Sequence, residues 1–266
     1  MHIFRAVCLI TLACIALISH ALAQEAEEAP NQWPIISTEE LHTLQQSGTK
    51  FLLVDVLPKI LYDEAHIPGS INIPVGAIHT TPNLPKDKNT LLVFYCMGIA
   101  CIYSGKAAHA AYQIGYHNLR VYREGIVGWQ RAGLPVESSV DYPKVEVPLI
   151  SARQLFDISG RRLPDNGAAF LLDIRPADHF ARGHIKGSIN IDIEVLHEQV
   201  HLLPQDQPII LIDNKGKLPL LTGRFLASKG LKNLRRLDGG FNAWVKSGLP
   251  VEQTSELKGL SQCDRC

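Results

Sequence analysis

Two successive copies of one α/β unit, each a mostly parallel sheet flanked by helices, are what this 266-residue chain predicts, and three features point there. First, Phe51-Leu52-Leu53-Val54-Asp55-Val56 is echoed by Phe170-Leu171-Leu172-Asp173-Ile174. In the same way Ala65-His66-Ile67-Pro68-Gly69-Ser70-Ile71-Asn72-Ile73 is echoed by Gly183-His184-Ile185-Lys186-Gly187-Ser188-Ile189-Asn190-Ile191. Second, both copies close alike. The first ends on Gly125-Ile126-Val127-Gly128-Trp129 and then Gly133-Leu134-Pro135-Val136-Glu137. The second ends on Gly240-Phe241-Asn242-Ala243-Trp244 and then Gly248-Leu249-Pro250-Val251-Glu252. A period of about 115 residues is that of a duplicated domain, far longer than a solenoid unit. Third, continuous apolar runs of strand length alternate with helical patterns within each copy, the signature of a parallel sheet covered on both faces.

Taken in order, the chain opens on a segment unlike the rest. Arg5 precedes the apolar run Ala6 to Ile18, and Ala21-Leu22-Ala23 follows, so residues 1–23 read as a cleavable signal peptide. Its apolar core is shorter than the roughly 20 residues of a spanning helix. The expectation is a secreted or periplasmic protein with no membrane association after cleavage. Residues 24–34, with Glu25, Glu27, Glu28, Pro30 and Pro34, read as a polar linker. The first domain is expected over 35–137. There Ser37, followed three residues on by Glu40, is a capping box that opens a helix to about Gln46. Phe51 to Val56 and Leu91 to Tyr95 read as strands, and Ser104 to Ile114 as a helix stopped by Gly115. Residues 138–149, with Pro143 and Pro148, read as the interdomain linker. The second domain, 150–252, repeats the pattern, with strands from Phe170 to Ile174 and from Ile209 to Ile212. Its helix runs from about Leu218 to Lys229 and ends at Gly230. Residues 253–266 form a tail.

Composition narrows the function. Lysine plus arginine and aspartate plus glutamate are both 26, so no overall field recruits nucleic acid or an anionic membrane. Chemistry must be sought locally. The strand Leu91–Tyr95 runs straight into Cys96-Met97-Gly98-Ile99-Ala100-Cys101 before a helix begins. In open parallel sheets ligands gather beyond the carboxyl ends of the strands. A thiolate placed there faces the amides of a tight loop and the positive end of a helix dipole, both of which lower a cysteine pKa. Cys96 is therefore the candidate nucleophile; the alternative is a small buried hydrophobe at a strand end. The backbone of Met97, Gly98, Ile99, Ala100 and Cys101 is the candidate cradle for an anionic sulfur, with no metal and no organic cofactor.

Together, the paired Asp-Val and Asp-Ile strand ends, the His-Ile-x-Gly-Ser-Ile-Asn segments, the strand-Cys-loop-helix unit and the Gly-x-x-x-Trp endings resemble the rhodanese family in its tandem form. The resemblance spans residues 36–252. It implies two rhodanese-like domains, and in the first a sulfurtransferase that uses Cys96. The cysteine would attack the outer sulfur of a small sulfur-containing anion such as thiosulfate, hold it as a persulfide, and pass it to a thiol or cyanide-like acceptor. Two departures put the substrate in question. The loop is longer than the family's usual active loop and contains a second cysteine, and the arginine that often closes the shorter loop is absent. Cys101 resolves a persulfide on Cys96, forms a disulfide with it, or packs at the helix start.

In the second copy Asp213 aligns with Cys96, within Asp213-Asn214-Lys215-Gly216-Lys217. Aspartate cannot carry a sulfane sulfur, so this domain is expected to be catalytically silent. His66 and His184 recur in both copies and read as structural, as do Asp55 and Asp173 at the strand ends. Trp129 and Trp244 read as core anchors. The tail pair Cys263 and Cys266 lacks the partners that zinc's four-ligand site requires. It is a tail disulfide, a dithiol serving Cys96, or half of a metal site completed by another chain. Two rival functions stand beside the enzyme. One is a non-enzymatic binding module with a Cys96–Cys101 disulfide; the other is a thiol-disulfide redox protein.

Overall fold

The computed structural model describes residues 32–159, 169–216 and 218–254. The expected signal peptide, Lys217 and the tail cysteines Cys263 and Cys266 lie outside the described residues. The first half runs α1 (Thr38–Gln46), β1 (Phe51–Asp55), α2 (Lys59–Glu64), β2 (Ser70–Asn72), β3 (Leu91–Tyr95), α3 (Tyr103–Gln113), β4 (Leu119–Tyr122) and α4 (Gly125–Arg131). The second runs β5 (Leu149–Ile150), α5 (Ala152–Ser159), β6 (Phe170–Asp173), α6 (Ala177–Arg182), β7 (Ile189–Asn190), α7 (Leu196–Gln199), β8 (Ile209–Ile212), α8 (Pro219–Ser228), β9 (Leu234–Leu237) and α9 (Gly240–Lys246). Two sheets result, ordered β2-β1-β3-β4 and β5-β9-β8-β6-β7, and every strand pairing in both is parallel. The duplicated α/β architecture read from the sequence is the one observed. The edge strand β5 has a reduced counterpart in the first half, where Ile35 makes a single parallel bridge to Val121.

The central strands are the most apolar and the most buried. Leu92, Val93 and Phe94 in β3 and all four residues of β8 are closed to solvent, each worth about 1.5–3 kcal/mol of burial. Helix α1 begins as its capping box requires. The Ser37 hydroxyl accepts from Glu40 N at 3.2 Å, and the Glu40 carboxylate accepts from Ser37 N at 2.8 Å. Strands β1 and β6 each stop one residue short of the expected end, and the aspartates are the reason. Leu57 N donates to Asp55 Oδ1 at 2.8 Å, and Arg175 N donates to Asp173 Oδ1 at 3.1 Å. This side-chain turn leads the backbone off the sheet.

The segment expected to be a linker is packed against both halves. Ser139 N donates to Asp63 O at 2.9 Å, Tyr142 and Val147 are buried, and the Tyr142 ring meets Phe225 edge-on at 5.9 Å. Val147 sits where a Cβ on Gly223 would lie. One apolar cluster consequently runs from β3 and α3 through this strap to β8 and α8. That continuity brings the ends of the two central strands to a common cleft.

Candidate active site at the ends of the central strands

At the carboxyl end of β3, Cys96 is 1% exposed and forms a disulfide with Cys101, their Cα atoms 6.4 Å apart. Cys96 Sγ lies 3.5 Å from the buried Ser104 Oγ in the first turn of α3. Cys101 is only half-buried, and its amide donates to Gly98 O at 2.8 Å. Met97 and Ile99 project outward, 38% and 65% exposed, and Ala100 is exposed with them. The amides of Met97, Gly98, Ile99 and Ala100 have no backbone acceptor among the described residues.

Helix α4 fastens this loop from below. Ile126 N and Val127 N donate to the carbonyls of Cys96 and Met97, both at 3.1 Å. The approach depends on Gly125, whose φ of +59° lies in the left-handed region and whose absent Cβ would run into Cys96 O and Gly98 N. Gly240 does the same in the second half at φ +61°, and there Phe241 N donates to Asp213 O at 2.7 Å.

The second half shows what such a loop holds. Register places Asp55 opposite Tyr95 and Asp173 opposite Ile212, so Cys96 and Asp213 are the equivalent next residues. The Asp213 carboxylate accepts from the amides of Gly216 and Leu218. The carboxylate at this position is thus bound by loop backbone.

The two strand ends face one cleft of about 500 Å³, walled by Leu57, Met97, Cys101 and Tyr103 on one side and by Arg175, Asp192, Glu194 and the Asp213–Lys215 loop on the other. Arg175 is spent within its own domain. Its guanidinium binds the Asp173 carboxylate through Nη2 at 2.6 Å and Nε at 2.9 Å, donates to Gly183 O, and lies 3.9 Å over the Phe241 ring. Burial, and then the charge of Asp192, raise the Glu194 carboxyl above its usual range. Asp192 is raised by burial and then by Asp178. Cys101 also lines a second pocket of about 280 Å³, together with Ile99, Ser104 and Arg123.

Leu57 replaces the arginine in the first half, where Tyr95 stands opposite Asp55 in the register. The Tyr95 hydroxyl accepts from Ile67 N at 3.0 Å and lies 3.0 Å from Ser70 Oγ. Asp55 is buried without an ion pair, its Oδ2 lacking a well-placed hydrogen-bond partner. Burial pushes its carboxyl up to about 7, against the Leu57 amide and the Tyr95 hydroxyl, which favour the ionised form. Sequence reasoning missed this exchange, although laying Asp55-Val56-Leu57 over Asp173-Ile174-Arg175 and Tyr95 over Ile212 displays it.

The recurrent histidines are built alike in both halves. His66 Nδ1 is 2.8 Å from Tyr62 O with its ring stacked on Tyr62, and His184 Nδ1 is 3.0 Å from Phe180 O with its ring stacked on Phe180. Trp129 and Trp244 are buried and donate to Pro135 O and Pro250 O, both at 2.8 Å. Among the described residues no group of three or more His, Cys, Asp or Glu side chains is arranged to hold a metal ion. No described helix is long and apolar enough to cross a membrane.

Fold and loop define a class: a duplicated parallel α/β domain with a cysteine at the end of one central strand and a carboxylate at the end of the other. The rhodanese-like domain family matches residues 37–132 and 160–247, and the chain belongs to that family, carrying the domain twice in tandem. A thiosulfate sulfurtransferase, GlpE of Ectopseudomonas mendocina, is 36% identical over 32% of this chain and 76% of its own length. An HTH-type transcriptional regulator of Mycobacterium tuberculosis is 35% identical over 38% of this chain, which spans only 44% of that protein. Among solved structures, the thiosulfate sulfurtransferase from Pseudomonas aeruginosa aligns over 84% of this chain and 44% of its own, at 19% identity and a TM-score of 0.41. Membership of the family supports sulfurtransferase chemistry in general.

Proposed function

We propose that this protein is an exported sulfurtransferase that carries sulfane sulfur on Cys96, with the Cys96–Cys101 disulfide as its resting form. The observation that carries the reading is the Asp213 carboxylate, an anion bound by loop amides at the position equivalent to Cys96. Residues 1–23 direct the chain to a compartment where such a disulfide persists.

Reduction separates Cys101 from Cys96 and uncovers the Cys96 sulfur. An anionic donor of the thiosulfate type enters beside Ser104 and Arg123, where a guanidinium and the amino end of α3 favour negative charge. The Cys96 thiolate bonds to the outer sulfur of the donor as the sulfur–sulfur bond of the donor breaks, and sulfite leaves. The persulfide is discharged by an acceptor thiolate that takes the outer sulfur. Alternatively the Cys101 thiolate attacks Cys96 Sγ, expels hydrosulfide and restores the disulfide. No metal or organic cofactor takes part in these steps.

The test is mass spectrometry of reduced protein after thiosulfate treatment. The peptide containing Cys96 gains the mass of one sulfur, cyanide removes it, and Cys96→Ser abolishes the gain. The bonded state of Cys96 and Cys101 favours a second reading, a thiol-disulfide redox protein. A dithiol that cycles reversibly without taking up sulfur supports that reading over the first. A disulfide that resists reduction supports a non-enzymatic binding module.

A further inference from the structure

Cys101 lines two cavities at once. One is the pocket of about 280 Å³ that carries Arg123, and the other is the cleft of about 500 Å³ between the two halves. Cys96 is 1% exposed, whereas Cys101 is half-buried, so Cys101 is the sulfur that an incoming thiolate reaches. Disulfide exchange bonds the attacking sulfur to the one it reaches, and the other sulfur leaves. Attack on Cys101 therefore frees Cys96, the sulfur that must become a nucleophile.

The two cavities differ in charge. Arg123 is the charged side chain on the wall of the smaller one. The cleft combines an aliphatic wall, from Leu57, Leu61 and Leu221, with the charges of Arg175, Lys215, Asp192, Glu194 and Asp213. Arg175 is bound to Asp173, and Asp213 is bound by the amides of its loop. A molecule in the cleft then meets two carboxylates, Asp192 and Glu194, against the one ammonium of Lys215. Among the described residues neither carboxylate forms an ion pair with a lysine or arginine. Glu194 stands at the seam of the halves, where a Cβ on Gly76 would lie 2.7 Å from its Oε2. Burial, and then the charges of Glu194, Asp192 and Asp178, raise the Tyr103 hydroxyl above its ordinary value. Tyr103 is two residues beyond Cys101, so the field of these carboxylates crosses the cleft to the loop that carries the disulfide. A partly buried carboxylate gains from an opposite charge brought beside it.

We infer that the cleft is the entrance for a small aliphatic thiol that bears a positive charge, an aminothiol, whose ammonium pairs with Asp192 and Glu194 while its sulfur opens the disulfide at Cys101. This deepens the proposed function and rests on its reading of the disulfide as the resting form. Donor and reductant are then sorted by charge, the anion to the Arg123 pocket and the cation to the cleft. In the first step the aminothiol's thiolate forms a bond to Cys101 Sγ as the Cys96–Cys101 bond breaks, and Cys96 leaves as a thiolate. A second aminothiolate then bonds to the sulfur of the first, and Cys101 leaves as a thiolate. Two electrons pass from two aminothiols to the loop pair, a small-molecule disulfide is released, and the two thiol protons go to solvent.

The test exposes the oxidised full chain to cysteamine, 2-mercaptoethanol and 3-mercaptopropionate, which are alike in size and differ in charge. Each rate of opening is divided by that of the same disulfide in the urea-unfolded chain, which removes the intrinsic reactivity of the thiol. Alkylation with N-ethylmaleimide and fragmentation of the peptide holding both cysteines are expected to find the thiol on Cys101 and the label on Cys96. Cysteamine is expected to exceed 2-mercaptoethanol by about fivefold, and 2-mercaptoethanol to exceed 3-mercaptopropionate by a similar factor, the worth of a partly exposed ion pair. Asp192→Asn with Glu194→Gln is expected to bring the three normalised rates within about twofold of one another. Lys215→Gln leaves both carboxylates in place and is expected to widen the preference for cysteamine by about twofold. An adduct on Cys96, equal normalised rates in the unaltered chain, a preference that survives the double substitution, or one that Lys215→Gln leaves unchanged overturns the inference. Pre-reduced protein keeps the two claims apart. If its Cys96 takes up no sulfur from thiosulfate, the proposed function fails whatever the thiol preference, whereas uptake without the preference leaves that function standing and removes the aminothiol.

Discussion

Asp213 stands in the second half where Cys96 stands in the first, and its carboxylate is held by the amides of the loop that follows it. The duplication has kept a loop at the end of each central strand and changed the residue that opens it, a disulfide-bonded cysteine in one copy and a carboxylate bound by loop amides in the other. Asp213→Ala removes hydrogen bonds to a charged group, which are worth about 1.5–3 kcal/mol. Urea denaturation is expected to show a loss of that size. Sulfur uptake by Cys96 is expected to stay within about twofold of the unaltered chain, because the variant leaves the copy that carries Cys96 intact. Abolished uptake would mean that the second domain takes part in the chemistry.

A pH dependence follows from Asp55. Its carboxyl has an ordinary value of 3.8 and is pushed up to about 7 in the folded protein. Between those values the folded chain holds a proton that the unfolded chain has released, so stability falls as pH rises through that window and the loss is complete above about 7. Every tenfold difference in proton affinity between the folded and unfolded chain corresponds to about 1.4 kcal/mol. Asp55→Asn cannot ionise, so the difference in urea midpoint between pH 5 and pH 8 is expected to shrink. Tyr95→Phe removes a hydroxyl that favours the ionised form and is expected to move the window upward. An unchanged midpoint difference in the Asn variant would show that Asp55 titrates normally.

The duplicated architecture was legible because its signals are local: apolar runs of strand length, a capping box, and repeated turn sequences. Leu91–Tyr95 and Ile209–Ile212 have the bounds that their apolar runs predict, and α1 begins where Ser37 and Glu40 place it. Cys96 was legible as the residue that follows a central strand. What escaped depends on contacts between residues far apart in the chain. The segment 138–149 reads as linker from its prolines, and only the contacts of Tyr142 and Val147 with α8 reveal that this linker is packed. Burial of Cys96 beneath the disulfide, and the cleft that Cys101 shares with Arg175 and Glu194, arise from how the halves pack together, which neither copy states alone.

Gly125 fixes the height of the Cys96–Cys101 loop. A methyl group there meets the carbonyl oxygen of Cys96 and the amide of Gly98, atoms of rigid backbone, at a φ of +59°. Gly115 has a left-handed φ of +91°, but a methyl group on it would find nothing within 4 Å. Gly115→Ala is expected to cost about 1–2 kcal/mol, the conformational penalty alone. Gly125→Ala is expected to cost clearly more and to lower the rate of sulfur uptake by at least tenfold, because the loop must shift away from α4. Equal costs for the two variants in urea denaturation would show that the α4 contact does not constrain the loop.

Arg175 and Tyr95 are two solutions to one problem, a buried aspartate at the end of the first strand of each copy. The second copy pairs Asp173 with the guanidinium. The first uses a tyrosine from the neighbouring strand, anchored on Ile67 N and Ser70 Oγ, and leaves its aspartate without a cation. Ile185 N and Ser188 Oγ are the equivalent groups in the second copy, and Ser188 holds Ile185 O at 2.6 Å just as Ser70 holds Ile67 O at 2.7 Å. Removing one partner of a buried ion pair strands the other, so Arg175→Leu is expected to cost on the order of 3–5 kcal/mol. Adding Ile212→Tyr supplies the hydroxyl that the first copy uses, on a frame that already presents its anchors. The double variant is therefore expected to recover at least half of that loss in urea denaturation, with a stability that falls between pH 5 and pH 8 as Asp173 takes on the behaviour of Asp55. Additive effects of the two substitutions would show that the tyrosine and the arginine do not serve the same carboxylate.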